Sequence, residues 1–431
     1  MTEFSRKRKW IALRNQINAP LRLNPFVFTK QFFMWASLGI VGGIVAGLYW
    51  LLINFLMRFF GQFNAGWEVI LVMGGGGLII GLIIHFVSEP GEMDLVVNNV
   101  RFNGGRLETR HNPSMIVTSA LGIGVGSSAG PEAPMVQVIG SIGSWMAKKL
   151  QLKGEDYRSM TIAGMATGFT AMFGAPLGGS LFALEIMHHK HVVEYYQALI
   201  PAFVASGTSY IIYIIISKLS LAPVWFINVH HAPEVLDFFW GMFYGVIGAL
   251  IGWGTIWVFK NFKKAFKKMH LPIYLQTTLA GILMGIMGWK LPITRFFSHY
   301  QLQDLLAGTF ALKMLIMIII IKIISMSLTV TSGWRGGFII PLFFIGAATG
   351  LLVYQIYPGD QSVALAIVCC MAAVNACVTR TPISTILLVA TMTGYTQFIP
   401  IMFASLTGFF LAPKAPLISA QLGKDKNLLK A

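Results

Sequence analysis

The sequence predicts an all-α integral membrane protein built from two repeats, and three observations carry that prediction. Of 431 residues, 55% are hydrophobic and only 11% are charged, whereas about a quarter are charged in an ordinary soluble domain. Apolar runs of bilayer length recur along the chain, whose mean hydropathy is +0.69. Proline landmarks in the two halves return at displacements of 206 and 207 residues.

The long runs come first. Phe32 to Phe60, Val69 to Phe86, Val193 to Ile216, Phe238 to Val258 and Ala311 to Val330 all suit the roughly 17 to 25 residues that cross a hydrocarbon core. The N-terminus carries Arg6-Lys7-Arg8-Lys9, but the first apolar run lacks a cleavage-type end and continues to spanning length, so it reads as a span and not as a signal peptide. Other segments are too short, or too interrupted by Gly and Pro, to be simple spans: Met115 to Gly126, Met135 to Met146, Met160 to Phe173 and Ile383 to Thr393. Broken helices are tolerated at membrane depth only where protein or a water-filled cavity satisfies the freed backbone. The 45 glycines fit such a fold, because small residues let helices approach closely and let backbone face a cavity.

The net charge of +16 could suggest a nucleic-acid partner. Lys and Arg, however, fall in short clusters between apolar runs, as they do in cytoplasmic loops. Residues 1 to 30, Lys148 to Arg158, Lys260 to Lys268 and Lys424 to Lys430 are all expected on the cytoplasmic side, and no nucleic acid is expected. Cys369, Cys370 and Cys377 lie in an apolar helix without metal-ligand spacing and read as small packing residues. No cofactor and no metal are implied. The expected organisation is a basic N-terminal segment at 1–31, a first membrane repeat at 32–217, a second at 236–423 and a short tail at 424–431.

The repeat rests on four landmarks. Met165-Ala166 and Met371-Ala372 each begin 11 residues before a proline, Pro176 and Pro382, and each proline opens a short apolar helix, Leu177 to Met187 and Ile383 to Met392. Upstream, Pro134 lies 31 residues before Met165 and Pro341 lies 30 before Met371, each leading a small-residue helix, Val136 to Ser144 and Leu342 to Gly350. Interrupted segments at equivalent places in two halves point to a substrate site near the bilayer midplane. Spacing alone leaves the relative orientation of the repeats open.

Glycine and proline before a helix leave its first N–H groups exposed, where the summed backbone dipole places about half a positive charge. Such a helix start is an anion site. In a membrane it matters more, since an ion stripped of water costs tens of kcal/mol unless dipoles replace its hydration. Partial charges also release an ion more readily than a fixed lysine would. Three segments have this form: Pro90-Gly91-Glu92-Met93-Asp94, Gly130-Pro131-Glu132-Ala133-Pro134-Met135-Val136-Gln137, and Gly336-Gly337-Phe338-Ile339-Ile340-Pro341. Gly130, Pro131, Pro134, Gly336, Gly337 and Pro341 are the residues expected to shape these helix starts. Glu132 is itself an anion at a helix N-terminus, able to occupy the place of a transported ion and to leave it on protonation. A capping carboxylate is the ordinary alternative, but an ionisable group between apolar segments is expensive and usually functional.

The second and third segments are similar to two signatures of the CLC chloride channels and chloride/proton antiporters: Gly, Glu and Pro ahead of a Val-Gln pair, and Gly-x-Phe-x-Pro. Phe173-Gly174-Ala175-Pro176-Leu177-Gly178-Gly179, running on to Leu184-Glu185, resembles that family's Ala-Pro-Leu helix, and Ala415-Pro416-Leu417-Ile418 sits where it has Lys-Pro-Leu-Tyr. The resemblance covers about residues 32 to 423. It implies a CLC-like fold of about 17 spanning and broken helices in two inverted repeats, a homodimer with one pathway per subunit, both termini cytoplasmic, and location in the cell membrane. Paired cytoplasmic regulatory domains, present in many relatives, are expected to be absent. By the same resemblance Glu132 is the gating glutamate, and Gly91, Glu92, Met93, Phe338, Ile339 and Ile418 are the expected anion-binding positions.

Departures from the family pattern mark a divergent branch. Ile186 stands where proton-coupled members carry an inner glutamate, Ile418 where they carry an anion-coordinating tyrosine, Gly91 in place of the central serine, and Pro131 in place of a basic residue. These weaken the expectation of tight proton coupling and leave anion permeation intact. The expected function is chloride transport, as a channel or a loosely proton-coupled antiporter, and not catalysis. Met93 raises a fluoride/proton antiporter as the alternative, against a plain packing role. His188, His189 and His191 raise a metal-dependent membrane enzyme, against a solvated basic loop. His230-His231 reads as an ordinary loop, Glu185 as a buried hydrogen-bonded group and Asp94 as a helix cap. A carrier of larger organic anions finds only Arg335, just outside the third segment, as an arginine anchor.

Overall fold

The computed structural model describes residues 30–87, 93–187, 192–221, 223–227, 234–358, 362–394 and 397–422. Gly91, Glu92, His188, His189, His191, His230, His231 and the basic cluster at Lys424 to Lys430 lie outside the described residues. The architecture is that of the compact unit from Trp35 onward.

Among the described residues there are 16 α-helices and two short 3-10 turns, and backbone pairing outside helices is limited to one isolated bridge. The first half runs α1 Lys30–Phe60, α2 Gly66–Phe86, α3 Met93–Phe102, α4 Asn112–Val125, α5 Glu132–Lys149, α6 Gly154–Phe173, α7 Pro176–Glu185 and α8 Val192–Ser217. The second runs α9 Val235–Met269, α10 Ile273–Lys290, α11 His299–Ala307, α12 Leu312–Thr331, α13 Ile339–Ile356, α14 Val363–Thr379, α15 Pro382–Thr393 and α16 Phe398–Phe410. Six helices are long and apolar enough to cross a membrane, and α14, α15 and α16 are shorter apolar helices.

Local chemistry sets the helix ends. Pro176 and Pro382 open α7 and α15, where a missing N–H costs nothing and the fixed φ suits the first turn. Gly126 at φ +117° stops α4 and Gly174 at φ +63° stops α6, a left-handed closing residue that glycine adopts without penalty. One expectation needs correction. The basic cluster from Lys260 to Lys268 is not a loop, because α9 continues unbroken to Met269. Lysine is a good helix former, and cations in a last turn complement the helix dipole.

Glycine decides how the helices pack. In the antiparallel pair α2 and α10, a β-carbon on Gly77 would overlap the Thr277 carbonyl and one on Gly281 the Met73 carbonyl. In α5 and α6, Gly143 faces the Met160 carbonyl and Gly164 the Ile139 carbonyl. Gly346 and Gly350 of α13 lie the same way on α14, against Met371 and Ala366. Close backbone approach through small residues is how helices associate where lipid supplies no hydrophobic drive.

α5 and α13 are both 18 residues long, each followed by a buried helix and then by a short helix opened on proline. Residues Ser159 to Phe173 of α6 and Ala364 to Thr379 of α14 are buried throughout, so the two repeats meet on an all-protein core. Cys369, Cys370 and Cys377 are buried in α14 as free thiols.

Candidate functional site

The one bridge in the structure joins the segments that lead into α5 and α13. Gly130 N–H donates to the Gly337 carbonyl at 2.7 Å, and Gly337 N–H donates to the Gly130 carbonyl at 2.6 Å. The two residues are 207 positions apart, the same displacement as Pro134 and Pro341. Each half thus grips its own counterpart, which is the contact a local two-fold axis produces.

Glu132, the first residue of α5, is fully buried. Its side chain crosses to the other repeat, where Oε1 accepts from the N–H of Ile339 at 2.8 Å and of Ile340 at 3.0 Å. These are the first two amides of α13, orphan donors at the positive end of the helix dipole. Oε2 has no hydrogen-bond partner among the described residues. A β-carbon on Gly130 would fall on Oε2, and one on Gly337 would lie 2.5 Å from the carboxyl carbon. Both glycines make room for the carboxylate.

The second buried-helix carboxylate behaves differently. Glu185, at the end of α7, uses both oxygens: Oε1 accepts from Ile383 N–H at 3.0 Å, and Oε2 accepts from Ser384 N–H at 2.7 Å and Ser384 Oγ at 2.6 Å. It caps the start of α15 from across the repeat. Fully bonded, it is a structural cap; Glu132, with one oxygen unbonded, is a group with capacity to spare.

A cavity of about 50 Å³, lined by Ala133 next to Glu132 in the chain, brings together Met93, Pro134, Gly336, Phe338 and Ile418. Five of the expected positions, drawn from four separate stretches of sequence, therefore share one space. Ile339 turns its amide to Glu132. The second amide comes from Ile340, two residues beyond Phe338, and Phe338 lines the cavity instead. Ile340 was missed because the helix start had been placed by motif; once α13 begins at Ile339, its first two donors are Ile339 and Ile340. Pro131 is the residue preceding the first turn of α5, and Pro341 is buried in the first turn of α13.

Charged groups that the sequence left at the margin also line this cavity. Arg335 is buried on its wall, and Asp94 and Lys263 stand 3.8 Å apart at its edge. Asp94 Oδ1 accepts from Ser419 Oγ and Ala420 N–H, both at 3.2 Å, and so caps the turn that follows Ile418. Arg101 donates to the Ala420 carbonyl at 2.9 Å, so α3 holds the segment that carries Ile418. Ile186 is buried and offers only its carbonyl, which accepts from Gln421 Nε2 at 3.2 Å.

Comparison with known proteins agrees with this geometry. An uncharacterized protein of Methanocaldococcus jannaschii is 27% identical over 393 residues, covering 90% of this chain and 95% of the relative. A protein of Ralstonia nicotianae named for a ClcB-like chloride channel is 26% identical over 366 residues, covering 80% and 82%. Among solved structures, a slow cyanobacterial Cl-/H+ antiporter superposes with a TM-score of 0.82 at 18% identity, covering 94% of this chain and 99% of that one. A CLC-type fluoride/proton antiporter superposes with a TM-score of 0.81 at 18% identity, covering 91% and 97%. The fold is the one these structures share. The family described as voltage gated chloride channel matches residues 76–413, well over half of the chain. Buried helix starts facing one another across two repeats, a carboxylate lodged between them, and this match together make the chain a member of the CLC family of chloride channels and transporters.

Proposed function

We propose that the chain carries chloride across the cell membrane, through one pathway in each subunit of a homodimer, and that the Glu132 carboxylate closes that pathway. The supporting observation is the pair of bonds from the Ile339 and Ile340 amides to Glu132 Oε1. A carboxylate oxygen held by two helix-start amides stands in for a dehydrated halide, so the side chain and the ion compete for the same donors. Protonation removes the negative charge, weakens the grip of the helix dipole and frees the donors for the ion. Flux therefore rises as pH falls. With Ile186 and Ile418 apolar, the inner half of the pathway offers no titratable or hydroxyl side chain at those two positions, which favours a channel or a loosely coupled exchanger over a tightly coupled one.

Liposome efflux tests this directly. Glu132→Gln is expected to raise chloride efflux and to flatten its pH dependence; wild-type flux and wild-type pH response in that variant would reject the gate. A reversal potential at the chloride value marks a channel, and a displaced value marks proton exchange.

A fluoride/proton antiporter is the second reading, favoured by Met93 on the cavity wall and by the fluoride transporter among the solved structures of this fold. Fluoride and chloride efflux from the same vesicles separate the two. The family consists of channels and transporters, so a metal-dependent enzyme at His188, His189 and His191 is set aside.

A further inference from the structure

Arg295 is buried, with 5% of its surface exposed, and its guanidinium is underused. Nη1 donates to Asn64 Oδ1 at a long 3.4 Å, while Nε and Nη2 have no partner among the described residues. No described carboxylate pairs with it. Arginine stays charged at any physiological pH, and an unpaired buried charge is among the most costly groups a fold can keep. The Phe296 ring lies 5.1 Å from the guanidinium carbon, and Nε and Nη2 remain as donors for an anionic partner.

The surrounding structure fixes the group in place. Lys322, buried in α12, donates from Nζ to the carbonyls of Thr294 at 3.0 Å and Phe296 at 2.8 Å, clamping the turn on both sides of Arg295. Phe296 and Ser298 in that turn have φ of +58° and +78°, a left-handed conformation that costs non-glycine residues energy and persists where surroundings enforce it. Phe296 N–H donates to the Gly126 carbonyl at 3.1 Å, and the guanidinium lies beside Gly126.

From Gly126 the chain runs directly to Glu132, at most roughly 20 Å of extended backbone away. Along that stretch Ser127 Oγ, Ser128 Oγ and Glu132 Oε2 are all buried without a hydrogen-bond partner among the described residues. Unpaired buried polar atoms are ordinarily rare. Here Ser127, Ser128 and Glu132 supply them within six residues, and Arg295 lies beside Gly126 at the start of that stretch.

Arg295 also marks a particular end of the path. The guanidinium reaches Asn64, two residues before α2 begins, and so lies toward the Asn64 end of that helix.

We propose that the Arg295 guanidinium is an anion-holding station at the Asn64 end of the pathway, where a small inorganic anion rests before it reaches Glu132. The proposal deepens the transport reading above and rests on it. The serine hydroxyls of the intervening segment then replace water as the ion moves inward.

The test is chloride uptake by proteoliposomes with one orientation of the protein silenced. Arg295→Gln is expected to raise the half-saturating chloride concentration about tenfold when chloride is supplied at the Asn64 face, and to leave it unchanged from the opposite face. Arg295→Lys should retain most of the wild-type value. Equal shifts from both faces, or none from either, would overturn the station. Wild-type crystals in bromide supply a measurement that needs no variant: anomalous density within hydrogen-bond distance of the Arg295 guanidinium is expected. Bromide at the α13 start with none at Arg295 would overturn this proposal and leave the gate intact, whereas failure of Glu132→Gln to raise flux would strike the transport reading and not the bromide site.

Discussion

Gly130 and Gly337 exchange two backbone hydrogen bonds, each donating to the other's carbonyl, and so pin the starts of α5 and α13 together at equivalent points of the two repeats. Neither position has room for a side chain, because the Glu132 carboxylate fills the space on both. Three structural demands thus converge on a few atoms: repeat pairing, helix-start exposure and space for the Glu132 carboxylate.

Gly130→Ala is therefore expected to dislodge Glu132 rather than merely loosen the fold. Chloride efflux should rise toward that of Glu132→Gln, and the double variant should be no faster than Glu132→Gln alone, the non-additivity of residues in direct contact. Additive effects in the efflux assay would show that the glycine acts elsewhere.

Glu185 gives the contrasting case. Glu185→Gln keeps an acceptor but loses the charge that serves two α15 amides and Ser384 Oγ, so thermal stability in detergent should fall by about 1 kcal/mol. The pH dependence of flux should be untouched, since both oxygens are already engaged in holding α15.

Much of this was legible beforehand because its causes are local. Pro176 and Pro382 announce helix starts through φ and a missing donor, and the 207-residue displacement of Pro134 and Pro341 is also that of Gly130 and Gly337, which the structure pairs. Lys263 was not legible as a cavity residue, and Arg335 stood only at the margin of a motif. Each reaches its place through tertiary packing, and a cation written in a basic cluster or beside a turn looks like surface until the neighbouring helices are in position. The long α9 was misjudged for the same reason: a run of lysines ends an apolar pattern without ending a helix.

Lys322→Met should be severe. It leaves the carbonyls of Thr294 and Phe296 buried without their donor, at about 1 to 3 kcal/mol each, and releases a turn with two left-handed residues. Reduced melting temperature, together with faster amide exchange at 294–298, is the expected signature; a stable variant with unchanged exchange would show that Lys322 does not hold the turn.

Gly281→Ala probes the crossing of α2 and α10. The added methyl meets the Met73 carbonyl, and overpacking of a tight contact costs about 1 to 3 kcal/mol. A lower yield of monodisperse protein on size exclusion is expected, and an unchanged yield would show that the crossing tolerates the methyl.

The carboxylate of Glu132 is in effect a ligand that the protein never releases. Tethered by a few bonds, it is present at its own binding site at an effective concentration that even short flexible linkers place in the millimolar range, and a short rigid side chain raises it further. Dissolved halide then has to compete at the start of α13 with an anion that cannot diffuse away. Under the proposed gating, a proton that cancels that charge shifts the competition more sharply than added salt does, so acidity is the expected signal for transport.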